Sequence, residues 1–179
     1  MPAIVRRAHA ASVLEIQNDP ATLNALAETV LPSALGAAGI ANAVREFTEW
    51  SAGYQEGAEA VHGYGTSRLR MLGPTPLTRW TGQLADLDAR ARSAHQKRFA
   101  ALGSAPRDAI VRAALQGQRL DRMPNVADAN HVAVALLAHF YDSPGATDLC
   151  YEAQIGKQTC RPLAAQSRRP LPTIKLSER

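Results

Sequence analysis

Between Asp19 and Tyr141 apolar side chains recur at steps of three and four in one run after another, and each run is bounded by proline or glycine. That spacing gathers them on one face of a 3.6-residue repeat. No stretch alternates convincingly at the period of two that a half-buried strand needs. The chain is therefore committed to burying helix against helix, an all-α bundle.

The runs can be taken in order. Asp19 is placed as N-cap and Pro20 at the first helical position, Leu23, Leu26, Ala27, Val30 and Leu31 share a face, and Pro32 stops the helix. From about residue 37, Ile40, Val44, Phe47, Ser51, Tyr54 and Ala58 continue the pattern as far as Gly63 and Gly65. Residues 62–75 are rich in turn formers and without period, so they read as loop. Thr75 and Pro76 then open a third helix with Leu77, Trp80, Leu84, Leu87, Ala91 and Ala94 as its seam and Gly103 at its end. On its other face Arg79, Gln83, Asp86, Arg90 and Lys97 are expected to meet water. Ser104 is placed to cap a fourth, which turns Ile110, Val111, Ala114 and Leu115 inward and stops at Gly117. Asp128 is placed to cap the fifth, which is apolar on nearly every side through Tyr141 and so belongs at the centre. The expected architecture is an irregular bundle of about five helices over residues 1–145, with residues 1–18 flexible or a short helix. A loop-rich C-terminal arm, extended in form, occupies residues 146–179.

A chain of 179 residues buries roughly two thirds of its unfolded surface and needs neither metal nor disulfide to fold. Its formal charge of +4 is spread among interleaved acids and bases outside the tail, and aromatics make up 5% of it. A nucleic-acid footprint needs a basic stripe or a stacking platform, and neither stands out. No segment is long and apolar enough to span a bilayer. Near the N-terminus Arg6 and Arg7 precede Glu15, Asn18 and Asp19, which interrupt what an export signal would keep apolar. The expected location is the cytoplasm, with the periplasm, by co-export with a partner, as the alternative.

Catalytic chemistry finds no purchase in the sequence. The histidines His9, His62, His95, His131 and His139 have no metal-ligand spacing, and Asp128 with His131 makes one acid–histidine pair where a bundle metal site needs several. A cap and a core or surface histidine is the plainer reading of that pair. No serine lies in a G-x-S-x-G setting, and the glycines of "GYGTSR" lack dinucleotide or P-loop spacing. Trp50 and Trp80 sit at helical spacing among apolar residues and read as core or interface. No catalytic, cofactor-binding or metal-ligating residue is assigned. Cys150 and Cys160 lack C-x-x-C spacing, but as a pair close in sequence they can close a short loop, so a disulfide between them is the expectation.

Three stretches together resemble the gluconate 2-dehydrogenase subunit 3 family: "LAETVLPSALGAAGIANAVREF" (26–47), "LADLDARARSAHQKRFAALGSAPRDAIVRAAL" (84–115) and "HFYDSP" (139–144). The similarity runs from about residue 20 to 145 and rests on packing motifs. They are the Leu31–Pro32 stop, the Leu87–Asp88 pair, the Phe99–Leu102 turn, and the helix ending in Phe140, Tyr141 and Pro144. Two departures stand beside it. The apolar stretch of a twin-arginine signal does not follow Arg6 and Arg7, and "GATDLCYEAQIGKQTC" replaces the family's glycine–asparagine and tryptophan–glycine pattern.

The resemblance implies a non-catalytic small subunit that binds and stabilises, or matures, a flavin-dependent sugar or alcohol dehydrogenase. The large subunit would be a flavoprotein of the glucose-methanol-choline type carrying the FAD, and a cytochrome c subunit is a further candidate member. A partner interface is expected at Leu137, Phe140 and Tyr141, with Arg161, Arg168 and Arg169 of the proline-rich tail lying along the large subunit. The competing readings are a stand-alone helical regulator or nucleic-acid-binding protein, and a small helical enzyme.

Overall fold

The computed structural model describes residues 19–59, 70–118 and 120–151. Among these residues the architecture is all-α, with six α-helices and three short 3-10 turns. The expectations placed on residues 1–18, on Gly63 and Gly65, on Cys160 and on Arg161, Arg168 and Arg169 lie outside the described residues.

Helix α1 spans Pro20–Val30 and begins as its sequence requires. The Asp19 carboxylate accepts from the Thr22 N–H at 3.3 Å and from the Thr22 hydroxyl at 2.9 Å, which satisfies a helix-end donor and buries Thr22 fully. Leu23, Leu26 and Ala27 face the core, and the helix ends ahead of Pro32. Gly36, at φ +63°, opens α2 (Gly36–Ala52) after a turn at Ser33–Leu35. Ile40, Val44, Phe47 and Ser51 are buried along α2. The helix ends sooner than its apolar spacing suggests. Tyr54 is buried from the loop beyond, and Gly57, at φ +77°, turns the chain into a single antiparallel bridge between Glu59 and Met71.

Helix α3 (Leu77–His95) buries Leu77, Trp80, Leu84, Leu87 and Ala91 as expected, but it stops well before Gly103 and leaves Ala94 exposed. Gln96 takes the left-handed conformation at φ 57°, and a turn at Phe99–Ala101 folds Phe99 back into the core. The reason lies within α3. The buried Asp88 carboxylate accepts from the Phe99 N–H at 2.9 Å and from Arg92 Nε at 2.9 Å, so it holds the reversal in place. Gly103, not Ser104, is the N-cap of α4 (Ser104–Ala114), which buries Ile110 and Val111.

Helix α5 (Val132–Tyr141) is the central one, packed against α1, α2, α3 and the helix that follows it. Val132, Ala133, Val134, Ala135 and Leu136 are each at most 1% exposed, so every side of its first turns is covered. Burying each of Val132, Val134 and Leu136 is worth about 1.5–3 kcal/mol. Its cap is not Asp128, which belongs to a separate turn at Val126–Asp128. His131 caps α5 instead, its Nδ1 accepting from the Ala133 N–H at 3.1 Å. Asp128 and His131 therefore do not share a helical face. After Asp142 the chain forms α6 (Pro144–Tyr151), so the segment expected to be loop-rich from residue 146 is helical as far as Tyr151. Ser143 Oγ accepts from the Ala146 N–H at 3.3 Å at its start.

Candidate functional site

The surface feature that sequence periodicity does not foretell is a groove of about 390 Å³ beside the central helix. Two loops, at residues 70–73 and 123–128, form one wall, and the ends of α2 and α5 form the other with Trp50, Ala138, Tyr141 and Asp142. A second, larger depression of about 1030 Å³ shares Arg70, Met123, Pro124, Asn125 and Asp128 and extends the groove to Leu120.

Each wall is held by identifiable bonds. The Leu72 N–H donates to Ala58 O at 2.8 Å, Leu72 O accepts from the Gly57 N–H at 2.9 Å, and the Tyr54 hydroxyl donates to Gly73 O at 2.8 Å. The Arg70 guanidinium pairs with the Asp128 carboxylate, joining the two loops, and Asn125 donates to the same carboxylate at 3.1 Å. Burial pushes the Asp128 carboxyl up, but its bonds to Arg70 and Asn125 outweigh that and hold it below the usual carboxylate range. Behind the groove lies an aromatic stack. Trp50 packs against Trp80 at 6.2 Å and Phe47 against Trp80 at 5.6 Å, with the His139 ring edge-on to both Phe47 and Trp50. Trp80 is fully buried and Trp50 half-buried, so the tryptophans form core and groove floor.

The exposed large hydrophobic residues among those described are Met71 (51%), Leu120 (51%), Met123 (46%) and Tyr141 (46%). All four line this groove or its extension. Exposed apolar surface of this kind gains from being covered by another molecule. Methionines suit such a surface because the unbranched thioether adapts to the shape it meets. Among the described residues, no three His, Cys, Asp or Glu side chains gather as a metal ion would need.

The expected interface residues separate. Tyr141 stands at the groove, Leu137 is half-buried against the core, and Phe140 is buried with its ring 5.3 Å from that of Tyr141. Cys150 is exposed on α6, and its expected partner Cys160 lies outside the described residues. Periodicity could not find Met71, Met123 or Leu120, since none is on a helix. The usable signal was large apolar residues in loops punctuated by proline and glycine, as in "RMLGPTP" and "RMPN".

Gln83 departs from expectation in a different way. It does not simply face water. Its side chain donates to Asn130 O at 2.8 Å and accepts from the Val132 N–H at 2.8 Å, clasping the entry to α5. Arg79 and Trp80 Nε1 both donate to Ala129 O just upstream, at 2.8 and 3.3 Å. These bonds from α3 fix the segment that carries the groove's second loop into the central helix.

The family model described as gluconate 2-dehydrogenase subunit 3 matches residues 17–148, most of the chain. The chain belongs to this family. Two packing motifs of the gluconate 2-dehydrogenase subunit 3 resemblance prove to be one structural device, since Asp88 of the Leu87–Asp88 pair bonds the first residue of the Phe99 turn. The family's name sets its members in a dehydrogenase complex beside a larger subunit. No curated protein and no solved structure matches the chain.

Proposed function

We propose that this chain is a non-catalytic accessory subunit that binds and stabilises, or matures, the large subunit of a flavin-dependent sugar or alcohol dehydrogenase. The family match over residues 17–148 carries the reading. The groove lined by Met71, Met123 and Tyr141 supplies the surface on which the large subunit docks. In this proposal the FAD and the chemistry belong to a large subunit of the glucose-methanol-choline type, and a cytochrome c subunit completes the electron path. A disulfide between Cys150 and Cys160 would brace the arm that follows α6, and it would require an oxidising compartment, hence co-export with the large subunit.

Co-expression of this chain, tagged, with a glucose-methanol-choline-type large subunit from the same source tests the proposal. A yellow complex that co-elutes and reduces dye acceptors is expected, with the isolated tagged chain colourless and inactive. A tagged chain that elutes alone, or that turns over substrate by itself after stringent repurification, would overturn it.

A further inference from the structure

The N-terminus of the central helix is capped by an imidazole, and that imposes a condition. A histidine accepts at Nδ1 only when neutral, because protonation turns both ring nitrogens into donors. His131 is 5% exposed, and its Nδ1 accepts from the Ala133 N–H at 3.1 Å. Protonation would replace that bond with two donors facing one another and would set a cation at the positive end of a helix dipole.

We infer that His131 is an acid-sensitive latch: its neutral ring closes the first turn of α5, and protonation opens that turn and loosens the helix whose far end lines the groove. Of the charges around the ring, Asp86 favours the cation and Arg90 opposes it, and burial outweighs both. Asp86 and Arg90 of α3 are the charged groups acting on the ring, and they are paired with each other at 2.7 Å. Arg79, also on α3, reaches Ala129 O two residues before the histidine. Asp128, on the preceding turn, is paired with Arg70. Gln83 is neutral and engaged with Asn130 and Val132. Burial pushes the His131 pKa below the usual histidine value; Asp86 raises it and Arg90 lowers it, and the net direction is down.

The sign follows from linkage. An unfolded histidine titrates near about 6.5, and the folded one below that. The unfolded state therefore binds the proton first, and stability falls as the pH drops through that value toward the folded pKa. Each such histidine raises the unfolding constant by up to about tenfold per pH unit across this window. His139, at the other end of α5, is pushed down by burial too, against Glu46 and Asp142, and must be separated from His131.

The test compares chemical denaturation of the full-length wild type, His131→Asn and His139→Phe at pH 7.5 and 5.5. Asparagine keeps a capping acceptor that does not titrate. The ratio of unfolding constants between the two pH values should be up to about tenfold smaller in His131→Asn than in wild type. His139→Phe should retain the His131 share of the ratio. In the wild type, hydrogen exchange at the Ala133 amide, corrected for its intrinsic rate, should lose protection on acidification; this reading needs no variant to fold. An unchanged ratio in His131→Asn, or Ala133 protection independent of pH, would overturn the latch.

Discussion

The Asp88 carboxylate and the Phe99 N–H, 2.9 Å apart, close the reversal between α3 and α4. The same carboxylate meets Arg92 at 2.8 Å and Arg98 at 3.6 Å, and Arg98 reaches on to Asp19, the cap of α1, at 3.2 Å. One buried acid thus ties the start of the first helix to the end of the third.

Asp88→Ala should destabilise the protein by about 1–3 kcal/mol, because it leaves the buried Phe99 N–H without a partner. Asp88→Asn, which retains an acceptor, should cost less. Burial pushes the Asp88 carboxyl up, but the Phe99 N–H and the Arg92 and Arg98 guanidiniums together hold it below its ordinary value. Its contribution is therefore present above about pH 4, the unfolded carboxyl's value, and is lost as the pH falls through the lower folded value. Urea titrations of wild type and Asp88→Asn between pH 7 and 3 check this; parallel curves would dismiss it.

Gln83→Ala removes both bonds of the clasp on Asn130 and Val132 and should lower stability by about 1–2 kcal/mol. Gln83→Glu keeps the acceptor for Val132 but loses the donor to Asn130, so it should lie between wild type and alanine. Amide exchange at Val132 is the local reading, and unchanged protection in the alanine variant would refute the clasp.

Core and groove should separate cleanly. Leu136 is fully buried in α5, so Leu136→Ala should cost about 2–5 kcal/mol and lower the melting temperature. Tyr141→Arg and Met123→Asp, at exposed positions, should change stability by about 0.5 kcal/mol or less yet weaken co-purification with the large subunit. Circular dichroism and pull-down on the same samples provide the measurements. Undiminished assembly by both groove variants would mean that the large subunit docks elsewhere.

Cys150 is exposed on α6, within reach of reagents. If it pairs with Cys160, alkylation at the moment of lysis leaves both unlabelled until reduction, and mass spectrometry shows two labels only afterwards. The cross-link is worth about 2–3 kcal/mol to the loop it closes in the chain-entropy model. Two labels without reduction would remove the staple and the case for an oxidising compartment.

Much of the fold was legible because burial along a helix follows a period of 3.6. Leu23, Leu26 and Ala27 in α1, and Trp80, Leu84 and Leu87 in α3, are buried as their spacing requires. The nearly all-round apolarity of α5 marked it as the central helix for the same reason. Helix ends were less legible. α3 stops at His95 because Asp88 captures Phe99 from a full three turns away, a bond that no local propensity encodes.

By itself, then, the sequence determined the class of fold, the faces its helices bury, the cap at Asp19 and the family. Each depends on residues close in the chain or on a pattern carried along it. Tertiary structure alone decided that His131 and not Asp128 caps the central helix, that Gln83 clasps its entry, and that Met71, Met123 and Tyr141 share one groove. Those outcomes depend on pairs such as Arg70 and Asp128, which meet only after distant helices have packed. Spacing along one helix cannot register a partner that arrives from another.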